Sequence, residues 1–229
     1  MEDHKRQLNV YKLRPAKEND VTDKEIQQRM RWDMPVLSKN SKCSISLDLP
    51  VENCVPTGAC AAVCYASQGR HYYRKALIKS LAINRLIAED PERVARKMVD
   101  EAAGRSIRLC GSGDILPEHK TLVDYVESFG GTWWGFTRRV DSHRVLPDLM
   151  FSIDATTTSS VMQYVQDQVP VRRRAYLRRP TDPPPPLEVA VTFPTHGPWT
   201  NYADQTPRHE TDCPAVRDEV KCWQCQRCY

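Results

Sequence analysis

At 229 residues the chain is long enough for a substantial hydrophobic core, in one large domain or two small ones, and needs no disulfides to fold. Its net charge of +4 neither demands nor forbids a nucleic-acid partner. No run of about eighteen apolar residues occurs, which predicts no membrane-spanning segment. The charged opening Met1-Glu2-Asp3-His4-Lys5-Arg6, with no apolar stretch behind it, predicts no secretory signal and a cytoplasmic setting.

Residues 1–42 read as a polar extension, in which Thr22-Asp-Lys-Glu25 is a capping box opening a short helix through about Met34. Residues 43–197 read as the core and 198–229 as a cysteine-rich extension. Cys43-Ser-Ile-Ser-Leu-Asp-Leu49 alternates apolar and polar residues and predicts the first strand. Helical spacing follows over roughly 70–89, then Asp90-Pro91 caps and starts another helix that Gly104 stops. Ser106-Ile-Arg-Leu-Cys110 predicts a strand and Pro117 opens a helix. Further strands are expected at Thr132–Thr137, Leu149–Asp154, Arg173–Leu177 and Glu188–Phe193, with a helix over 159–168.

Six strands alternating with helices predict an α/β fold of parallel units, a partial six-stranded β/α barrel. Two joints are thin. Residues 138–148 are barely enough for a crossover, and the run Arg179-Pro180-Thr-Asp-Pro183-Pro-Pro-Pro186 cannot be helical. The latter predicts a polyproline arm, with the sixth strand either antiparallel or displaced.

Ligands of β/α folds bind at the carboxyl ends of the strands. That end collects Cys54, Cys60 and Cys64 after the first strand, and Gly111-Ser112-Gly113-Asp114 after the second. It also collects Thr137-Arg138-Arg139, then Ser152, Asp154 and Thr156, then Arg178-Arg179 and Thr195-His196-Gly197.

Seven of the nine cysteines fall into two runs, which in a reducing setting predicts metal ligation over disulfides. Cys54, Cys60 and Cys64 are three thiols within eleven residues and could leave one iron of a [4Fe–4S] cluster open; Cys43 or Cys110 could close it. Either spare thiol could equally be a small core residue. Cys213, Cys222, Cys225 and Cys228 make a full set of four whose successive two-residue gaps suggest a second cluster, with tetrahedral zinc as the alternative.

Asp114 could hold an amine or hydroxyl while its glycines let backbone approach a ligand, or it could simply cap a turn. Asp154 at a strand end suits a ribose or amine contact, or a turn. The Arg172–Arg179 region could bind phosphates of a nucleic acid, or form a solvated face. His196 and His209 read as turn residues more readily than as ligands.

Four ordered motifs carry a resemblance. Cys54–Cys64-Tyr65-Ala66, Asn84, Arg108-Leu-Cys-Gly-Ser-Gly-Asp114 and Trp134-Gly-Phe-Thr137-Arg138 are similar to the phage "gene product 88" family. More distantly, the layout resembles the radical S-adenosylmethionine (SAM) superfamily. That likeness implies a partial β/α barrel, a cluster on Cys54, Cys60 and Cys64, and contacts from Ser112, Gly113 and Asp114 to the methionine amine of SAM. It also implies that Ser152 and Asp154 approach the ribose. The loop departs from the superfamily's usual C-x3-C-x2-C by gaps of five and three, with Tyr65 after the last cysteine instead of an aromatic before it.

Three functions compete at this point. One is a radical SAM-like enzyme acting on an unidentified small molecule or macromolecule, and another is a non-catalytic iron–sulfur protein for structure, electron transfer or redox sensing. The third is a zinc-stapled nucleic-acid binder.

Overall fold

The fold is taken from a computed structural model, which describes residues 21–40, 44–62, 64, 74–179, 182–194 and 211–213. Helix α1 (Asp23–Arg29) begins as expected: Thr22 Oγ1 accepts from Glu25 N at 3.3 Å, and Glu25 Oε2 accepts from Thr22 N at 2.9 Å. It stops at Arg29, short of Met34. Met34 precedes Pro35, a position that disfavours the helical backbone.

A strand absent from the sequence reading follows. β1 (Leu37–Asn40) pairs antiparallel with β2 (Ser44–Leu47), Leu37 opposite Leu47. Side chains cover its outer edge. Glu101 accepts from Val36 N at 3.1 Å and Leu37 N at 2.8 Å, and Lys79 Nζ donates to Leu37 O at 3.2 Å. An edge capped in this way cannot recruit another strand.

The chain then passes through the short α2 (Gly58–Ala62), α3 (Arg74–Glu89) and α4 (Pro91–Ala102). Asp90 caps α4 by accepting from Arg93 N at 3.0 Å. From there strand and helix alternate: β3 (Ile107–Leu109), α5 (Lys120–Ser128), β4 (Trp133–Thr137), α6 (Val140–Val145), β5 (Met150–Asp154), α7 (Ser159–Gln168), β6 (Arg174–Arg178) and β7 (Val191–Pro194).

The seven strands form one sheet in sequence order, parallel from β2 onward. It is an open sheet: β1 and β7 are its two ends and are not neighbours. The expected six strands are therefore seven. The right-handed rule for parallel crossovers places successive helices on one face. Buried Ile83, Leu86, Met98 and Leu122 pack there against Leu47, Ile107 and Leu109, and Val165 packs with Phe151, Ile153 and Tyr176.

Both thin joints hold parallel strands. The six-residue α6 suffices between β4 and β5. The expectation of an antiparallel or displaced last strand is corrected, because β7 lies beside β6 in parallel register, Ala175 opposite Val191. Asp182 explains it by turning the proline arm back: its Oδ2 accepts from Arg179 N at 2.8 Å. Tyr176 Oη then donates to Pro183 O at 3.3 Å. Residues 211–213 extend the same edge, with Thr192 opposite Asp212 in a parallel bridge and Cys213 N donating to Thr192 O at 2.8 Å.

Candidate functional site

The carboxyl ends of β2 to β5 converge through backbone contacts. The loop leaving β2 meets the turn after β3: Leu49 N donates to Ser112 O at 2.9 Å, and Ser112 Oγ to Leu49 O at 3.1 Å. Gly113 permits this approach. Its φ is +73°, and a Cβ there would lie 2.5 Å from both Leu49 O and Pro50 O. Cys110, at the same turn, also has a left-handed backbone, with φ 58°.

The β2 loop continues through a 3-10 turn (Val51–Asn53) to Cys54, then Thr57 and α2, which carries Cys60; Cys64 follows. Side chains from the far side of the site hold this loop. Thr156 Oγ1 accepts from Ala59 N at 2.9 Å, so a residue from the β5 turn caps α2. Thr57 Oγ1 accepts from Cys60 N at 3.2 Å and itself donates to Asp154 Oδ2.

Arg138, just past the end of β4, joins these parts. Its Nη1 lies 2.7 Å from Asp154 Oδ2 and 3.2 Å from Thr57 Oγ1, and its Nη2 donates to Ser152 Oγ at 3.2 Å. The backbone N–H of Arg138 donates to Asp114 Oδ2 at 3.2 Å, while Asp114 Oδ1 accepts from Ile115 N at 2.8 Å. Arg139 Nη1 donates to Asn53 O at 3.3 Å. One pair of arginines thus ties the cysteine loop, the Ser-Gly-Asp turn and the end of β5 together.

Burial and charge set the protonation of these groups. Burial pushes the Asp114 carboxyl up to about 7, against the hydrogen bonds from Arg138, Thr137 and Ile115 that favour its anion. Burial also acts upward on Asp154, but the Arg138 charge and the Thr57 and Thr156 hydrogen bonds outweigh it and hold Asp154 below its ordinary value. The Cys54 thiol is pushed far up by burial and by the carboxylate of Asp114. Cys60 is raised by burial too, and the Arg138 charge opposes the rise.

Cys54, Cys60, Cys64, Ser112, Gly113, Asp114, Ser152 and Asp154 therefore share one end of the sheet, where the sequence placed them. The hydroxyls and carboxylates among them bond mainly to the protein itself. Cys110 is buried beneath the same turn. Cys213 is buried with Met150, Ala175 and Val191, on the sheet face opposite Phe151 and the helices. In register, Asp212 lies opposite Thr192, Thr192 opposite Tyr176 and Tyr176 opposite Ile153, so Cys213 sits beyond the β7 edge of the sheet. Cys43, Cys222, Cys225, Cys228, Tyr65, His196 and His209 lie outside the described residues.

The arginine run is largely internal. Arg174 and Arg178 are buried, Arg178 against Asp212; Arg173 pairs with Asp148 and Arg179 with Asp182, while Arg172 is exposed.

Sequence reasoning passed over Thr57 and Asn53, and placed Thr156 at the end of β5 without giving it a partner. Asp154-Ala-Thr156-Thr157 carries a usable signal, since Asp and Thr in succession form side-chain-to-backbone turns. Here Asp154 Oδ1 accepts from Thr156 N at 2.8 Å.

Among the described residues no group of three His, Cys, Asp or Glu side chains is placed to hold a single metal ion. Thiolates on one tetrahedral zinc stand about 3.8 Å apart, from Zn–S bonds of about 2.3 Å. Ligands of a four-iron cluster stand further apart, because each binds a different iron. The donor chemistry of Cys54, Cys60 and Cys64 fits such a cluster: all three are half-buried on one pinned loop. Asn53, which directly precedes Cys54, carries an orphaned polar atom: its Nδ2 is buried and without a hydrogen-bond partner among the described residues.

No helix among the described residues is long and apolar enough to cross a membrane. The family model described as Gene product 88 matches residues 16–229. No curated protein and no solved structure matches the chain.

Proposed function

We propose that this chain, which belongs to the gene product 88 family, is an iron–sulfur protein whose Cys54, Cys60 and Cys64 hold a [4Fe–4S] cluster at the mouth of a radical SAM-like α/β core. The observation that carries the reading is the docking of the cysteine loop. Three thiols within eleven residues sit at the carboxyl end of a parallel sheet, pinned by Thr156 to Ala59 N and by Thr57 to Cys60 N. A cluster bound by three thiolates would supply a one-electron reductant with one iron open to a cosubstrate such as SAM.

The chain's own residues have definable tasks around that group. Thr57 and Thr156 fix the loop before iron enters. Arg138 places a positive charge near Cys60, which offsets the negative charge gathered by thiolates. Ser112 and Gly113 hold the two loops in contact. Asp114 fixes the backbone of Arg138, and Ser152 with Asp154 fixes its guanidinium. The C-terminal set Cys213, Cys222, Cys225 and Cys228 would hold a second cluster, or zinc.

Reconstituted, dithionite-reduced protein supplied with SAM should release 5′-deoxyadenosine, and the Cys60→Ala variant should not. An iron-loaded protein that leaves SAM intact rules out the enzymatic reading.

A specific observation favours a second, non-catalytic reading. Ser112, Asp114, Ser152 and Asp154 already bond within the protein, so the expected SAM contacts would need rearrangement. In that reading the cluster serves structure, electron transfer or redox sensing, and iron binds while SAM alters neither its spectrum nor its potential.

A further inference from the structure

Asn53 ends the 3-10 turn directly before Cys54 and is 8% exposed. Its backbone is anchored on both sides: N donates to Pro50 O at 3.2 Å, and O accepts from Arg139 Nη1 at 3.3 Å. Its side chain differs, because the buried Nδ2 has no hydrogen-bond partner among the described residues. Buried donors are nearly always satisfied, and one left unmet carries the full cost of its lost water. A buried amide that the fold does not satisfy is accounted for when an acceptor joins the site from outside the polypeptide.

The residue's position says what that acceptor is. Asn53 is covalently next to Cys54, the first thiol of the loop. Thiolate and sulfide sulfurs of a cluster accept N–H hydrogen bonds, and those bonds help to set its reduction potential. We propose that Asn53 donates through Nδ2 to a sulfur of the cluster bound by Cys54, Cys60 and Cys64, and so raises that cluster's potential. The direction follows from charge. The reduced cluster is one unit more negative than the oxidised, so a donor aimed at its sulfurs stabilises the reduced form more. This inference rests on the cluster reading above and adds one tuning residue to it.

Because Arg139 and Pro50 hold the Asn53 backbone, changing the side chain leaves Cys54 on its anchored turn. Asn53→Leu and Asn53→Asp are near-isosteric and remove the donor. An EPR-monitored redox titration of anaerobically loaded protein is expected to show a lower midpoint in both variants. At a fixed potential the reduced-to-oxidised ratio should fall about tenfold, equivalent to about 59 mV for a one-electron couple. Asn53→Asp should fall further than Asn53→Leu, since it adds negative charge. The iron-free Asn53→Leu protein should melt at or above the wild-type temperature, because no protein hydrogen bond is lost.

Equal midpoints in wild type and Asn53→Leu overturn the inference and leave the cluster in place. A lower melting temperature of iron-free Asn53→Leu also overturns it, by revealing that the amide serves the fold. Loss of iron from both variants with an unchanged iron-free melt supports it. A wild type that takes up no iron overturns the cluster reading and this inference together.

Discussion

Arg138 and Asp154 form a buried ion pair across the ends of two adjacent strands: Nη1 lies 2.7 Å from Oδ2, with 12% of the arginine side chain exposed and none of the aspartate's. A pair this dry is costly to halve, because removing either partner strands a charge in the interior. Arg138→Met should therefore cost about 3–5 kcal/mol in denaturant unfolding. The double variant with Asp154→Leu should recover part of that loss. A single-variant cost below about 1 kcal/mol, typical of exposed pairs, would mean that the two charges are not the joint of this site.

Gly113 should tolerate no side chain. At φ +73° an alanine is strained, and its Cβ would stand 2.5 Å from two backbone oxygens that cannot swing away. Gly113→Ala is expected to destabilise the protein by more than about 1 kcal/mol. It should also lower iron uptake, since the Ser112–Leu49 contacts that seat the cysteine loop would part. Gly104→Ala is the control: its φ is +78°, but a Cβ there meets nothing within 4 Å. Equal losses in the two variants would reduce the Gly113 effect to backbone strain alone.

Asp114 should make stability depend on pH. Its folded value of about 7 lies above the ordinary 3.8, so between these values the native state holds a proton that the unfolded chain has released. Stability of the iron-free protein should then fall as pH rises from about 4 to about 7, and level off above that. The fall is bounded at about 4 kcal/mol, from about 3 pK units at about 1.4 kcal/mol each. Asp114→Asn, which cannot ionise, should flatten the slope in urea titrations at stepped pH. Parallel slopes in the two proteins would place the titration elsewhere.

The legible parts of this fold were those governed by local patterning. The capping box at Thr22, the Asp90-Pro91 helix start and the alternation of strands and helices are written in neighbouring residues, and all appear in the structure. Strand β1 was hidden because Leu37-Ser-Lys-Asn40 has only one apolar residue; its place is fixed by Glu101 and Lys79, far along the chain. The direction of β7 was likewise undecidable from the proline run, because Asp182 and Tyr176 turn the arm by tertiary contacts. At the site, the strand-end rule named residues that the structure brings to one end of the sheet. Their bonding to one another escaped it, since the Thr57–Asp154 and Ala59–Thr156 contacts each span 97 positions. The arginine run misled for a related reason: charge density in a sequence does not reveal that Arg174 and Arg178 point inward to their own partners.

On the proposed reading, the loop carrying Cys54, Cys60 and Cys64 takes up iron. The most direct test of that reading is iron and acid-labile sulfide analysis of protein purified without oxygen, wild type beside a variant with these three residues replaced by alanine. The variant is expected to lose about four irons and about four sulfides per chain relative to wild type. Equal iron and sulfide contents in the two proteins would contradict the reading.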